Sequence, residues 1–148
     1  MHSARILPSR HQRISSTGIR SQPQSAALVG GSENTWAPDV EYYNGKYYMY
    51  YSLTRGFGGP VSVIGRVESD NVLGPYSNEV IIVDGASSTS LNKPNCIDPE
   101  LFYDKDGGLW MVYGSYYGGI YMLELYNEGE NWGLRKPDQG EFGKLVWS

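Results

Sequence analysis

Apolar and polar residues alternate in short runs along most of the chain, and turn residues separate the runs. The sequence WAPDVEYYNGKYYMYYS, residues 36–52, places two β-prone runs on either side of Asn44-Gly45, a dipeptide typical of a two-residue β-hairpin turn. Residues 61–69 carry apolar residues at every second position, and residues 79–85 form another β-prone run. The pattern predicts four consecutive strands in this part of the chain.

A second set of four strands is predicted from residue 100 onward. The sequence ELFYDKDGGLWMVYGS, residues 100–115, sets two runs around a turn, residues 118–126 form a third run, and residues 143–148 begin a fourth. The composition supports strands and turns over helices, with 13 Tyr and 4 Trp beside 19 Gly. The sequence therefore predicts an all-β fold.

The two sets of strands form an internal repeat. Gly107 corresponds to Gly45 and Met111 corresponds to Met49, each 62 residues further along the chain. Four-stranded units of this size that repeat along a chain are typical of β-propeller blades. The alternative is a β-sandwich whose hairpins resemble one another.

Asp39 and Asp98 are candidate functional residues because of their place in this repeat. In a propeller, the first strand of each blade lies nearest the central axis. We expect Asp39 and Asp98 to begin the first strands of the two units, at equivalent positions. Carboxylates brought together at one mouth of the channel would shift one another's pKa.

The first part of the chain differs from the rest. Residues 1–34 are rich in Ser, Arg, Gln and Gly without a period of 2 or 3.6, and we predict a disordered or atypical N-terminal segment before a domain at residues 35–148. Both histidines, His2 and His11, lie in that segment. The predicted domain therefore has no histidine for a Ser-His-Asp triad or a zinc site.

Charge and cysteine content exclude further classes. The net charge of −4 predicts neither a nucleic-acid partner nor attraction to a membrane surface. No apolar run approaches the roughly 18 residues of a membrane helix, and no signal peptide is visible. The single cysteine, Cys96, excludes an internal disulfide and indicates a small buried residue.

Five motifs stand out along the chain: WAPDV (36–40), NGKYYMYYS (44–52), SVIG (62–65), NCIDPELFYDKDG (95–107) and LWMVYGSYYGGI (109–120). In order and at characteristic spacing, they resemble the family 43 glycoside hydrolases, five-bladed β-propellers that include arabinanases, arabinofuranosidases and xylosidases. The resemblance covers about residues 35–148, so it implies an all-β chain with about two blades of such a propeller. The NxIDP and GSxxGGI motifs are most similar to those of endo-arabinanases.

The resemblance implies inverting hydrolysis of a glycosidic bond by three carboxylates. A first-blade Asp acts as general base and a Glu in a later blade as general acid, at a separation that admits a water molecule. The third carboxylate, in the IDP motif, raises the pKa of the acid and orients it. That role falls on Asp98. Cys96 stands where the family usually has alanine.

The resemblance also implies a set of substrate-binding residues. An aromatic side chain such as Trp36 can stack on the apolar face of a pentose, while polar neighbours bind its hydroxyls. Structural roles are the alternatives: Asp98 in a turn before proline, Trp36 in core packing, and one of Tyr116 and Tyr117 between blades. The substrate-binding residues are Asn95, Ser115, Tyr116, Tyr117, Trp36, Asp39 and Gly58.

Two of the three carboxylates implied by the resemblance have no match in this sequence. No Asp-Pro strand precedes Trp36, and no EGP-like or EAP-like segment is found before Ser148. We therefore expect a fragment of a glycosidase that is inactive alone and self-associates through uncovered apolar faces. A non-catalytic sugar-binding remnant is the alternative, and a protein-interaction propeller explains the repeat but not Asp98.

The resemblance further implies the cofactor, partner and location of the protein. By this resemblance the enzyme requires no cofactor, although the complete propeller can hold a structural calcium ion. No metal ligands are assigned in this chain. The expected partner is a plant cell-wall polysaccharide or oligosaccharide of the arabinan or arabinoxylan type. By the same resemblance we expect a secreted protein.

Overall fold

Two antiparallel four-stranded sheets form the described part of the chain, which comprises residues 29–30, 34–56 and 61–148 of the computed structural model. The first sheet contains β1 (Asn34–Tyr43), β2 (Lys46–Thr54), β3 (Ser62–Ser69) and β4 (Ser77–Asp84). The second sheet contains β5 (Glu100–Tyr103), β6 (Leu109–Ser115), β7 (Gly119–Leu125) and β8 (Lys144–Trp147). All eight predicted strands are present.

Each sheet is a meander in which neighbouring strands are consecutive in sequence. A Greek-key sandwich would instead exchange strands between its sheets, so the strand order favours the blade interpretation. The predicted turn between β1 and β2 is present: Asn44 and Gly45 have φ values of 48° and 88°, as a type I′ turn requires. The inner strands β1 and β5 approach one another between the two sheets.

The register of the inner strands corrects the expected equivalence of the two aspartates. Val40 pairs with Met49, and Leu101 pairs with Met111. The inner strands are therefore related by an offset of 61 residues, whereas β2 and β6 keep the offset of 62. The difference is one extra residue in the second hairpin loop.

By this register, Asp98 is equivalent to Ala37, and Asp39 is equivalent to Glu100. Ala37 and Asp98 both precede a proline and both have a positive φ, 37° and 54° respectively. The expectation that Asp39 and Asp98 begin the inner strands at equivalent positions is wrong, because β1 begins at Asn34 and β5 begins at Glu100.

A continuous apolar core lies between the two sheets. The first sheet contributes Tyr50 and Ile64, both fully buried. Their partners in the second sheet and its loops are Leu101, Leu109, Met111, Tyr113, Leu123, Leu125, Trp132 and Phe142. The tyrosine hydroxyls in this core find backbone partners, since Tyr50 donates to the Gly133 carbonyl at 2.8 Å. Burial raises the pKa of Tyr50.

Trp132, in the segment between β7 and β8, connects the second sheet to the first. Its ring stacks on Tyr43 at a centroid distance of 4.8 Å and lies tilted against Tyr48 at 5.0 Å. Arg66 donates from Nη1 to the Trp132 carbonyl at 2.6 Å. Its guanidinium also lies over the Tyr48 ring, 4.9 Å from the centroid. These contacts hold the two sheets together at the end opposite Asp98.

The other face of the first sheet carries a second apolar cluster. Val29 is fully buried there against Tyr51, Leu53 and Val63, and its carbonyl accepts a hydrogen bond from Arg55 Nε at 3.0 Å. The sequence predicts a disordered or atypical segment at residues 1–34. At Val29 the chain is packed, and the rest of that segment, except Gly30 and Asn34, lies outside the described residues.

Replacing Trp132 with alanine is expected to destabilise the protein strongly. The side chain is 2% exposed, and truncating a buried tryptophan costs about 3–5 kcal/mol. Trp147→Ala is the matched control, because Trp147 is 66% exposed and its loss should cost at most about 0.5 kcal/mol. Urea unfolding followed by far-ultraviolet circular dichroism measures both. Equal losses would contradict the role given to Trp132 between the sheets.

Candidate functional site

Asp98 lies at one end of the inter-sheet core, in the connecting segment (residues 95–98) that leads into β5. The residue is exposed, and its backbone N–H donates to the hydroxyl oxygen of Ser52 at 3.0 Å. Within the described residues, no side chain donates a hydrogen bond to its carboxylate. Asp98 is therefore a solvent-facing carboxylate on a backbone that is fixed from the first sheet.

Asn95 fixes the start of the connecting segment. Only 4% of the residue is exposed. Its side-chain oxygen accepts a hydrogen bond from the Ser62 hydroxyl at 3.1 Å, and its side-chain nitrogen donates to Ser115 Oγ at 3.4 Å. Its backbone N–H donates to the Tyr117 carbonyl at 3.1 Å. Both ends of the amide thus have protein partners, and the predicted sugar contact of Asn95 stays a prediction.

The turn that carries Ser115, Tyr116 and Tyr117 lies beside this segment. Gly114 donates its N–H to the Ile97 carbonyl at 2.9 Å, next to Asp98. Tyr116 is 84% exposed and Tyr117 is 39% exposed. Both rings are therefore accessible, and Tyr116 is the freer of the two to meet a ligand.

Trp36 reaches the same end of the core from β1. It pairs across the sheet with Ser52, the residue that holds the Asp98 backbone. Its indole N–H donates to Thr54 Oγ1 at 3.1 Å, and the residue is 39% exposed. Because more than a third of its surface is exposed, Trp36 is not solely a core residue. Gly58, the remaining predicted substrate-binding residue, lies outside the described residues.

Asp39 lies further along the inner strand than Asp98. Its Oδ2 accepts the backbone N–H of Leu101 at 2.9 Å, which joins β1 to β5. Glu41 and Glu100 stand near it: burial, followed by the charges of Asp39 and Glu100, raises the pKa of Glu41. The structure thus gives Asp39 a definite role between the sheets, while its predicted substrate contact stays a prediction.

Four residues in this region were missed from the sequence. Glu41 and Glu100 could have been found from their spacing, since Glu41 is two residues from Asp39 and Glu100 is two residues from Asp98. Ser52 and Ser62 gave no signal, because each stands in a β-prone run and resembles an ordinary strand residue. Their hydroxyls nevertheless bind the connecting segment.

The carboxylates near Asp98 do not form a metal site within the described residues. In residues 29–30, 34–56 and 61–148, no group of three or more His, Cys, Asp or Glu side chains is arranged to hold a metal ion. The structural calcium ion that the family resemblance allows for the complete propeller stays a prediction, and no chemical step is assigned to a metal. Cys96 is fully buried, as expected, and burial raises the pKa of its thiol to about 12.

Replacing Gly118 with alanine is expected to disturb the tyrosine turn. Gly118 has a φ of 77°, and an added Cβ would lie 2.7 Å from both the Lys93 carbonyl oxygen and Pro94 Cα. Gly107→Ala is a matched control, because Gly107 has a φ of 83° with no atom within 4 Å of its added Cβ. Both variants carry the cost of a left-handed alanine, about 1–2 kcal/mol. Only Gly118→Ala adds crowding of about 1–3 kcal/mol.

Chemical denaturation of the two glycine variants measures this difference directly. A larger loss of unfolding free energy for Gly118→Ala shows that the turn is packed closely on residues 93–94. Equal losses in the two variants would contradict that packing.

Comparison with known proteins places this geometry in a family. Residues 15–137 match the model of glycosyl hydrolases family 43. The match begins before the predicted domain boundary at residue 35. The extracellular endo-alpha-(1->5)-L-arabinanase of Thermotoga petrophila is 45% identical over 125 residues, which cover 75% of this chain and 26% of that protein. Endo-alpha-(1->5)-L-arabinanase 2 of Bacillus subtilis, also extracellular, is 43% identical over 125 residues, covering 78% and 26%.

Solved structures give the same result. The crystal structure of endo-1,5-alpha-L-arabinanase from Thermotoga petrophila has a TM-score of 0.68 and 39% identity, covering 83% of this chain and 30% of that chain. The native Bacillus subtilis arabinanase has a TM-score of 0.60 and 36% identity, covering 79% and 42%. These similarities, with the two meanders, confirm the predicted fold of about two blades of a five-bladed β-propeller.

The chain spans about a quarter of the length of the curated relatives described above, at 26% of each. The family match nevertheless covers most of the chain and includes Asp98 and the residues around it. This chain belongs to glycosyl hydrolases family 43.

Proposed function

We propose that the chain forms part of the active site of an inverting glycosidase that acts on α-1,5-linked arabinan. The observation that carries the proposal is the position of Asp98. It is exposed at the one end of the inter-sheet core where Trp36, Ser115 and Tyr117 also lie. The relatives named arabinanases supply the substrate class.

Asp98 acts through its negative charge. A carboxylate close to a second carboxyl group disfavours ionisation of that group and so raises its pKa. A general acid must remain protonated near neutral pH in order to protonate the leaving oxygen. Asp98 therefore keeps the acid protonated and orients it, while the family's acid and base stand on segments that this sequence does not match.

The exposed aromatic residues provide the sugar-binding surface. Trp36, Tyr116 and Tyr117 offer ring faces for the apolar side of a pentose. Ser115 and the Asp98 carboxylate provide polar groups for its hydroxyls. Relatives named extracellular support an extracellular location for this protein. We find no helix in the described residues that is long and apolar enough to cross a membrane.

The isolated chain is expected to bind an α-1,5-linked arabinohexaose without cleaving it. Trp36→Ala should weaken binding by roughly two- to tenfold, since an aromatic contact contributes about 0.5–1.5 kcal/mol. Tyr42→Ala is the matched control, because Tyr42 is an exposed aromatic residue at the other end of β1. Isothermal titration calorimetry measures affinity, and a reducing-end assay measures cleavage.

Three results of this experiment would count against the proposal. Equal effects of the two aromatic variants would remove Trp36 from the sugar-binding surface. Tighter binding of a xylohexaose would contradict the substrate class. Release of reducing ends by the purified chain would contradict the assignment of acid and base to segments outside it.

The role of Asp98 is tested in a chimaera. Residues 35–137 replace the matching segment of the Thermotoga petrophila arabinanase, and Asp98→Asn is then introduced. Because Asp98 raises the pKa of the acid, its neutralisation lowers that pKa and moves the alkaline limb of kcat/KM to lower pH. The rate should fall by about 10²–10⁴-fold, the usual contribution of general acid catalysis.

Asp106→Asn is the control for this chimaera. Asp106 is exposed in the second hairpin loop and pairs with Lys105 at 2.7 Å. Its neutralisation removes one negative charge of the same kind without touching the site. An unchanged pH profile in the Asp98→Asn chimaera would exclude the proposed effect of Asp98 on the acid.

A further inference from the structure

Two buried serine hydroxyls of the first sheet hold the connecting segment that carries Asp98. The backbone N–H of Cys96 donates to Ser62 Oγ at 2.8 Å, and the backbone N–H of Asp98 donates to Ser52 Oγ at 3.0 Å. Ser62 in turn donates to the side-chain oxygen of Asn95 at 3.1 Å. Alternate residues of the segment are thus bound by side chains of the preceding blade.

Both serines lie on the face of the first sheet that packs against the second. Ser52 pairs with Ile64 across β2 and β3, and Ser62 is two residues from Ile64 on β3. The same face carries Tyr50 and Ile64, which are part of the inter-sheet core. Both serines are fully buried, so their hydroxyls form the polar end of an otherwise apolar interface.

These hydroxyls accept hydrogen bonds from backbone N–H groups that have no partner in a strand ladder. A buried N–H without an acceptor costs about 1–3 kcal/mol, and β5 begins only at Glu100, so residues 96 and 98 stand outside the strand ladder. Asp98 also has a φ of 54°, a conformation that residues other than glycine rarely adopt. The Ser52 hydroxyl binds the N–H of the residue that carries this conformation.

We propose that Ser52 and Ser62 are positioning residues for Asp98: by binding alternate N–H groups of the connecting segment, they fix the backbone from which its carboxylate projects. The proposal rests on the function proposed for Asp98. It assigns to the preceding blade the task of orienting a carboxylate of the following blade. A merely structural role would contribute stability without affecting Asp98 in particular.

Amide hydrogen exchange in the 148-residue chain tests the placement of the backbone. Ser52→Ala should increase the exchange rate of the Asp98 amide by about tenfold, the effect of losing one hydrogen bond, and leave the Cys96 amide nearly unchanged. Ser62→Ala should show the reverse pattern. A uniform change across the protein, or no change at either amide, would overturn the proposal.

Ser69→Ala is the matched control. Ser69 is also a buried serine of β3 whose hydroxyl accepts a backbone N–H, that of Asn71 at 3.1 Å. It lies at the opposite end of β3 from Ser62. Its replacement removes the same kind of hydrogen bond and should affect neither the Cys96 amide nor the Asp98 amide. Faster exchange of both amides in this control would overturn the proposal, because the effect would not be specific.

A double-mutant cycle separates positioning from stability. Binding of α-1,5-linked arabinohexaose is measured for Ser52→Ala in the original chain and in the Asp98→Ala background. Positioning predicts at least about a twofold loss of affinity in the original chain and no further loss once Asp98 is absent. Equal losses in the two backgrounds reduce Ser52 to a structural role and overturn the proposal.

The two experiments fail independently. If no variant binds the sugar, the proposed binding function of the isolated chain fails, and the selective exchange pattern alone decides whether the serines place Asp98. If the sugar binds but the exchange pattern is uniform, the proposed function stands and the positioning role is wrong.

Discussion

The position of the connecting segment and of Asp98 depends on the packing of one sheet against the other. The core between the sheets contains large apolar side chains, and burial of that area stabilises the contact without fixing its direction. Polar groups at the two ends of the core fix the orientation of one sheet against the other. At one end Arg66 binds the Trp132 carbonyl, and at the other Ser52 binds the N–H of Asp98. Between the two ends, Asp39 binds the N–H of Leu101.

Three aspartates of the two inner hairpins and their connecting segment have different hydrogen-bond partners. The Asp39 carboxylate is engaged with the neighbouring inner strand. Asp104 accepts hydrogen bonds from the Trp110 indole and two backbone N–H groups in its own hairpin loop, and these bonds lower its pKa. Asp98 alone of the three faces solvent with its backbone, and not its carboxylate, bound to the protein. The Asp39 and Asp104 carboxylates therefore bind backbone groups at the blade contact and in the hairpin, while the Asp98 carboxylate is available for the role that we propose.

The strands and their order could be predicted from the sequence because their signals are local. Period-2 alternation and the Asn44-Gly45 turn depend only on neighbouring residues. The register of β1 against β5 is different, because one extra residue in the second hairpin loop changes the offset between the inner strands from 62 to 61. With the offset of 61, Asp98 corresponds to Ala37, whereas Asp39 and Asp98 are 59 residues apart and fit neither offset. The roles of Ser52 and Ser62 could not be predicted either, since they arise from contact between residues more than thirty positions apart.

Ala37 and Asp98 share a position before proline and a left-handed backbone, yet one carries a methyl group and the other a carboxylate. The two repeats thus present the same backbone conformation at this position, and the second carries there the carboxylate to which we assign a role in catalysis. A gene that encodes repeated blades can therefore acquire or lose a reactive group by a change at one codon, while the architecture that presents it is inherited unchanged.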